Sequence, residues 1–531
     1  MAYAGSKLPE VRRPDLPVAT APALSAEAMG WLAHLDRKVG LGGTWTKNDQ
    51  VGPQWDTKSF VPTMYFPRYE LTWLSWSMGL MAETTPAWRE EYAKILGFLG
   101  DRFLEYWSFA EWVENRGDDP ARSSYPEAMK AAIPEGQWGR YNLPGWAGNG
   151  SRTEPYDPDP IRAGGRFGLM YKGYLNLVLS MYSYVSDDGK YSRPFVIRYD
   201  DHLSWTYDQR RLNEILAQQW QSHEEGIACE VTKVYPWCNT LAGSSVKLYD
   251  ALHGTRFADP YKRFQKYFAQ HYVGSDRGQG PDWMMGYYDA DLKTGVADHG
   301  RQNGSNWVPV IWHGLAMDEA QFRPLYESLF RLLYRPQKDG SAHLAVMGGT
   351  DADLSITTGL GAALAREMGD TDRADAMRRW IDRHYEPTRD NTRGEFAFGF
   401  GLGEEWPRGQ YNAWVMPALL GTRAGQWRGI FQRPNVAKFS QPTVEGIDFP
   451  AVRVRVAAYD AKTRTLHVEL AAATPAVEGK PTHFRITRLP RGSRWAVANN
   501  GAPPVEHRAA DGSIEVATTI GSQRFEVRAL A

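Results

Sequence analysis

Between about residue 24 and residue 425 one pattern dominates: apolar residues spaced three and four apart, in runs that come in consecutive pairs. This periodicity restricts the fold most, because paired amphipathic helices must bury their apolar stripes against one another. "SAEAMGWLAHLDRKVG" opens on Ser25, an N-cap residue type, and puts Met29, Leu32 and Leu35 on one face. "PRYELTWLSWSMGLMAE" and "TPAWREEYAKILGFLGDRFLEYWSFAEWV" form a pair joined at Thr84, Thr85 and Pro86. "FGLMYKGYLNLVLSMYSYV" is apolar on most sides, and "CNTLAGSSVKLYDALHG" ends on Gly254, a helix-stop signal. Similar runs continue through "YNAWVMPALLG". Roughly a dozen helices taken as antiparallel pairs suit a closed toroid, which needs no capping repeats.

Near residue 430 the period changes from helical to two. "FPAVRVRVAAYDAKTRTLHVELAAAT" sets Val452, Val454 and Val456 against Arg453 and Arg455, then turns at "YDAKTR". "THFRITRL", "RWAVANNG", "SIEVATTI" and "RFEVRAL" read as further strands. The expected architecture is mainly α. It has an N-terminal extension (1–24), an (α/α)6 barrel (25–430) and a small antiparallel β domain of sandwich type (431–531). Residues 113–165, rich in Gly, Pro, Asn and Asp, form a long irregular excursion of the kind that often carries function.

Composition excludes several classes. The 531 residues carry 61 basic and 62 acidic side chains, so no charge excess points to nucleic acid. No run of about 18 apolar residues predicts a membrane span. The first twenty residues contain no signal-peptide core, so a cytoplasmic location is the expectation. Histidines lack metal-site spacing, and no metal ligand set is expected. The aromatic share is 13%, with 21 Trp, which suits a large core or a cleft for an apolar or sugar ligand. A homo-oligomer is compatible with the sequence.

Both cysteines lie in "CEVTKVYPWC", residues 229–238. A separation of nine places them on opposite sides of one helix or one strand, so a shared site requires the segment to loop back. Cys238 begins a predicted helix, where free N–H groups favour a thiolate, whereas Glu230 beside Cys229 disfavours one. Two small buried hydrophobes would have the same sequence. "GGTDADLS" places Asp351 and Asp353 before a helix, as acids or with Asp353 as an N-cap. "GLGEEWPRGQYN" sets Glu404 and Glu405 beside Trp406 in a loop.

Four blocks together resemble the linalool dehydratase/isomerase family. They are "MYKGYLNLVLSMY" (170–182), "GIACEVTKVYPWCNTLAGSSVKLYDALHGTRF" (226–257), "NWVPVIWHGLAMD" (306–318) and "GTDADLSITTGLGAALAREMGD" (349–370). The C-x8-C motif with its flanks is the specific part. The resemblance implies an (α/α)6 barrel with an apolar funnel. The implied chemistry dehydrates a tertiary allylic terpene alcohol to a diene, or isomerises it, without a cofactor. It also implies that Cys229 and Cys238 are the paired active-site cysteines. Tyr174 stands where the family has a histidine. The family's first-helix aspartate falls at Val39, with Asp36 the nearest carboxylate, and a family tyrosine falls near Trp45. The C-terminal β domain and the 113–165 segment are additions.

The resulting expectation is a lyase or isomerase that dehydrates, hydrates, isomerises or cyclises a small apolar alkenol or terpenoid-like substrate. Its candidate catalytic residues are Cys229, Cys238, Tyr174, Asp36 and Asp351. Candidate cavity residues are Tyr69, Met170, Tyr171, Trp45, Tyr235, Trp237, Tyr288, Trp307 and Glu404. Two rivals predict different sites. A carbohydrate-active enzyme needs paired carboxylates, such as Asp351 with Glu404. A non-catalytic binder of an apolar metabolite needs only the cavity.

Overall fold

The computed structural model describes residues 23–43, 45, 52, 54–55, 67–105, 159–162, 168–229, 233–290, 293–299, 306–345, 356–420 and 423–530. Asp351, Asp353, Glu230 and nearly all of the 113–165 segment lie outside them.

The first helix, α1 (Ala26–Gly40), begins as its sequence predicts. The Ser25 hydroxyl accepts from the Ala28 N–H at 3.1 Å and donates to the Leu419 carbonyl at 3.2 Å. α2 (Pro67–Thr84) and α3 (Glu90–Leu104) form the next pair, separated where Thr84 and Thr85 turn their hydroxyls back onto the Leu80 and Met81 carbonyls. α4 (Leu169–Ser186) is buried on nearly every side, as its apolar run requires. It lies between α2 and α3 on one side and α6 (Pro236–His253) on the other. Gly173 makes the α4–α6 approach close, since a Cβ there would fall 2.7 Å from the Ala242 Cβ.

α5 (Gln209–Ser222) was not legible as a helix, because its apolar stripe is thin. It starts on Asp208, whose carboxylate accepts from the Arg211 N–H at 2.8 Å. Short helix α7 (Tyr261–Tyr267) precedes the pair α8 (Trp307–Met317) and α9 (Glu319–Leu333), and α10 (Ile356–Glu367) and α11 (Thr371–His384) make another. α12 (Gly409–Val415) packs on α2, and α13 (Gln426–Gln432) on α8.

The helical region is less purely helical than its periodicity implies. Antiparallel hairpins interrupt it: β1 (Phe195–Arg198) with β2 (Ser204–Tyr207), β7 (Tyr334–Pro336) with β8 (Ala342–Leu344), and β9 (Pro387–Asp390) with β10 (Glu395–Phe398). A larger sheet joins β3 (Lys233–Val234), β5 (Trp283–Asp289) and β4 (Val273–Gly274), with β6 (Thr294–Asp298) added to β5. These strands are short, so their alternation is too brief to read against strong helical neighbours.

The C-terminal reading holds at the level of strands. β12 (Val452–Asp460), β13 (Thr465–Ala472), β15 (Arg494–Asn499), β16 (Val505–Arg508) and β18 (Gln523–Ala529) form one antiparallel sheet in the order β12-β13-β18-β15-β16. β11 (Thr443–Glu445), β14 (Pro481–Thr487) and β17 (Ile514–Thr519) form the other. Phe484 and Phe525, one from each sheet, meet edge to face at 5.2 Å. β11 follows the expected domain boundary at residue 430, and α13 spans it. The sheets are bonded to the helices through backbone: Leu24 N–H to the Arg455 carbonyl at 2.9 Å, Ala87 N–H to Ala457 at 3.0 Å, and Val444 N–H to Ala87 at 2.7 Å.

Candidate active site

The two cysteines meet. Cys229 Sγ donates to Cys238 Sγ at 2.8 Å, and both side chains are buried. The sulfurs are in contact but unbonded, well beyond the disulfide length of about 2.05 Å. The chain reverses before Pro236 rather than at it: the Cys229 N–H bonds to the Lys233 carbonyl at 2.9 Å, and β3 follows. Pro236 is instead the first residue of α6, where its missing N–H costs nothing. Cys238 therefore lies in the first turn of that helix.

Asn239 holds the arrangement. Its side-chain amide donates to the Ile227 and Tyr235 carbonyls, both at 3.0 Å. Its side-chain oxygen accepts from the Ile227 N–H at 3.0 Å and the Trp220 indole at 3.1 Å. One buried side chain thus ties the segment leading to Cys229 onto the helix start bearing Cys238. The signal was present in the sequence, since Asn follows the second cysteine, but its role is visible only in three dimensions.

Tyr174 completes a triad of protons. Its hydroxyl is 3.8 Å from Cys238 Sγ. Burial first, and then the neighbouring sulfur of Cys238, raise its pKa well above the usual phenol value, so the phenol stays neutral and protonated. Aromatic rings wall this cluster. Tyr69 stacks on Trp73 at 5.2 Å and lies 6.0 Å from the Tyr174 ring. Trp73 stacks on Trp237 at 6.1 Å and meets Trp414 edge on at 4.5 Å, and Trp414 meets Trp237 at 5.6 Å. Trp73 and Trp414 were missed in the sequence because a buried Trp on an amphipathic helix looks like any core residue.

The remaining candidates make other contacts. Asp36 turns toward α3, where it pairs with Lys94 beside Glu91; burial and then Asp36 push the Glu91 carboxyl up to about 7. The α1 side chain that turns to α2 is Lys38, two residues on, which forms a buried ion pair with Glu70. Tyr171 donates to the Phe103 carbonyl at 2.7 Å and Met170 is buried on the same helix. Trp45 packs with Trp55 at 5.3 Å beside Phe98 and Arg102. Tyr235 packs on Tyr287 at 5.5 Å, and Tyr288 stands opposite Val234 in the β3–β5 register. Trp307 donates to the Asp298 carbonyl at 3.3 Å, and Glu404 is exposed in its loop. Among the described residues no group of three or more His, Cys, Asp or Glu could hold a metal ion, and no helix is long and apolar enough to cross a membrane.

What these residues define is a thiol pair with a neutral phenol beside it, enclosed by Tyr and Trp rings. Residues 136–396 match the family model of linalool dehydratase/isomerase, and over that stretch the chain is similar to this family of enzymes. Similar solved structures are distant. The Lin0763 protein of Listeria innocua is 10% identical, covering 74% of this chain and 96% of its own, with a TM-score of 0.39. The endoglucanase CelQ of Clostridium thermocellum, complexed with cellotriose, is 10% identical, covering 95% and 92%, with a TM-score of 0.34. A GH127 β-L-arabinofuranosidase of Geobacillus stearothermophilus T6 is 11% identical, covering 95% and 76%, with a TM-score of 0.28. Scores this low carry no weight for fold or activity.

Proposed function

We propose that this chain is a lyase or isomerase that dehydrates, hydrates, isomerises or cyclises an apolar alkenol or terpenoid-like substrate. In this reading the paired helices close as an (α/α)6 barrel around the site. The observation that carries the reading is the contact of Cys229 with Cys238, 2.8 Å apart, with the Tyr174 hydroxyl 3.8 Å from the second sulfur.

Dehydration needs two proton transfers. An acid must protonate the hydroxyl so that the C–O bond breaks with its electron pair and water leaves. A base must then take a proton from the adjacent carbon, whose C–H electrons become the new double bond. Tyr174, neutral at working pH, serves as donor. Cys238, as its thiolate, accepts from the Cys229 thiol and serves as the base; the proton it takes from carbon then passes to the Tyr174 oxygen, 3.8 Å away, which restores both groups. Reversal of the same steps adds water. Return of water to the far allylic carbon isomerises the alcohol. The faces of Trp73, Trp237 and Trp414 stabilise positive charge developing on the allylic unit.

Replacing either cysteine tests this. Cys229→Ala and Cys238→Ala are each expected to lower turnover of linalool or a related tertiary allylic alcohol by about a thousandfold or more, since acid and base groups act together. Circular dichroism should remain native. Full turnover in both single variants sinks the proposal.

A further inference from the structure

The Lys38–Glu70 pair is a costly feature for a protein to keep. Both side chains are at most 2% exposed. An apolar pair of similar volume is often as stable or more so, because two ions must be stripped of water. Glu70 shares α2 with two rings of the aromatic wall. Glu70 follows Tyr69 and precedes Trp73 by one turn on α2, and Tyr69 neighbours Tyr174. Gly409, the first residue of α12, the helix that carries Trp414, leaves space for the carboxylate: a Cβ there would overlap both Glu70 oxygens. Lys38 Nζ lies 4.6 Å from the centre of the Trp55 ring. Among the described residues the three donors of this ammonium meet one carboxylate and one ring face.

Apolar rings alone hold a hydrocarbon as well as an alcohol. An alcohol moved from water into such walls loses its hydrogen bonds unless the site returns them. An ammonium next to a carboxylate offers one donor and one acceptor, which is the complement of a hydroxyl. An ether or a ketone matches only the donor, and a hydrocarbon neither. We infer that Lys38 and Glu70 form the polar pole of the substrate cavity and select an apolar substrate that carries a hydroxyl. This rests on the reading of the site as one for alkenols. It adds the two residues that recognise the alcohol.

The test measures binding rather than turnover, by equilibrium dialysis of the full-length reduced protein carrying Cys238→Ala. The probes are linalool, its methyl ether, and the hydrocarbon with hydrogen in place of the hydroxyl. The parent should bind the alcohol about tenfold more tightly than either analogue. Adding Glu70→Gln or Lys38→Met should shrink that preference to about twofold or less, with hydrocarbon binding unchanged. The double variant Lys38→Met/Glu70→Leu should do the same. It leaves no unpaired buried charge, so it carries the test if a single variant fails to fold. A preference that survives in the double variant, or a parent that binds all three probes alike or none of them, overturns the inference. Failure of the functional reading shows elsewhere, as linalool turnover retained by Cys238→Ala.

Discussion

Helices α4 and α6 carry two buried polar clusters, and the two are made of opposite materials. Near the start of α6, the Tyr174 hydroxyl lies 3.8 Å from Cys238 Sγ, which accepts from Cys229 Sγ at 2.8 Å. Farther along the same helices, Asn176, Gln209, Asn213, Ser180 and Ser245 interlock. Asn176 donates to the Asn213 oxygen at 2.8 Å and to Ser245 at 2.9 Å, while Gln209 donates to Asn176 at 3.1 Å and to Ser180 at 2.9 Å. Amides have fixed donors and acceptors and do not titrate, so a network of them sets geometry. Thiols and a phenol make weaker bonds and can give up protons. One cluster locates the helices and the other is left able to react.

Three changes probe that contrast. Tyr174→Phe removes one hydroxyl from the reactive cluster and should lower turnover by about a hundredfold, with the thermal midpoint nearly unchanged. An equal loss of stability and activity would move Tyr174 into the structural class. Asn176→Ala removes the hub of the amide network and should cost about 2 kcal/mol in urea unfolding, leaving its partners unpaired. Turnover per folded molecule should stay within about twofold. A large fall in turnover at intact stability would break the division of labour between the clusters.

The third change concerns His313 on α8, a titratable group outside both clusters. Its Nδ1 lies 3.2 Å from the Ser244 hydroxyl, and Trp76 and Trp427 pack edge on against its ring. Burial pushes its pKa down to about 3. The unfolded chain takes up this proton near pH 6.5 and the folded chain does not until about pH 3, so stability falls as pH drops through that window. Wild type should lose about 1.4 kcal/mol per pH unit more than His313→Gln there. Parallel stability curves for the two proteins would mean that the imidazole is protonated in the fold.

The sequence revealed the pieces that obey a long period. Ser25 capping α1, the stop at Gly254 and the strand alternation of "VRVRVAAYD" all depend on neighbours within a few residues. The cysteine pair was legible through its motif, although spacing alone argued against contact; the reversal at Lys233 and the Asn239 bonds reconcile the two. Lys38 was passed over for Asp36. On a helix with 3.6 residues per turn, two positions swing a side chain by more than half a turn, and the partner that settles the choice, Glu70, is on another helix. Trp73 and Trp414 were hidden for the same reason: what separates a wall from a core is what lies opposite.

The backbone bonds of Leu24 and Ala87 to Arg455, Ala457 and Val444 bear on the order of events during synthesis. The first and third helices leave the ribosome early, yet the acceptors and donors that complete their flanks are in the last fifth of the chain. Glu90, at the head of α3, likewise waits for the Gly446 and Ile447 N–H groups. A nascent chain halted near residue 430 therefore displays unpaired backbone where the tail belongs, and such a chain is a natural client for chaperones until its final strands arrive.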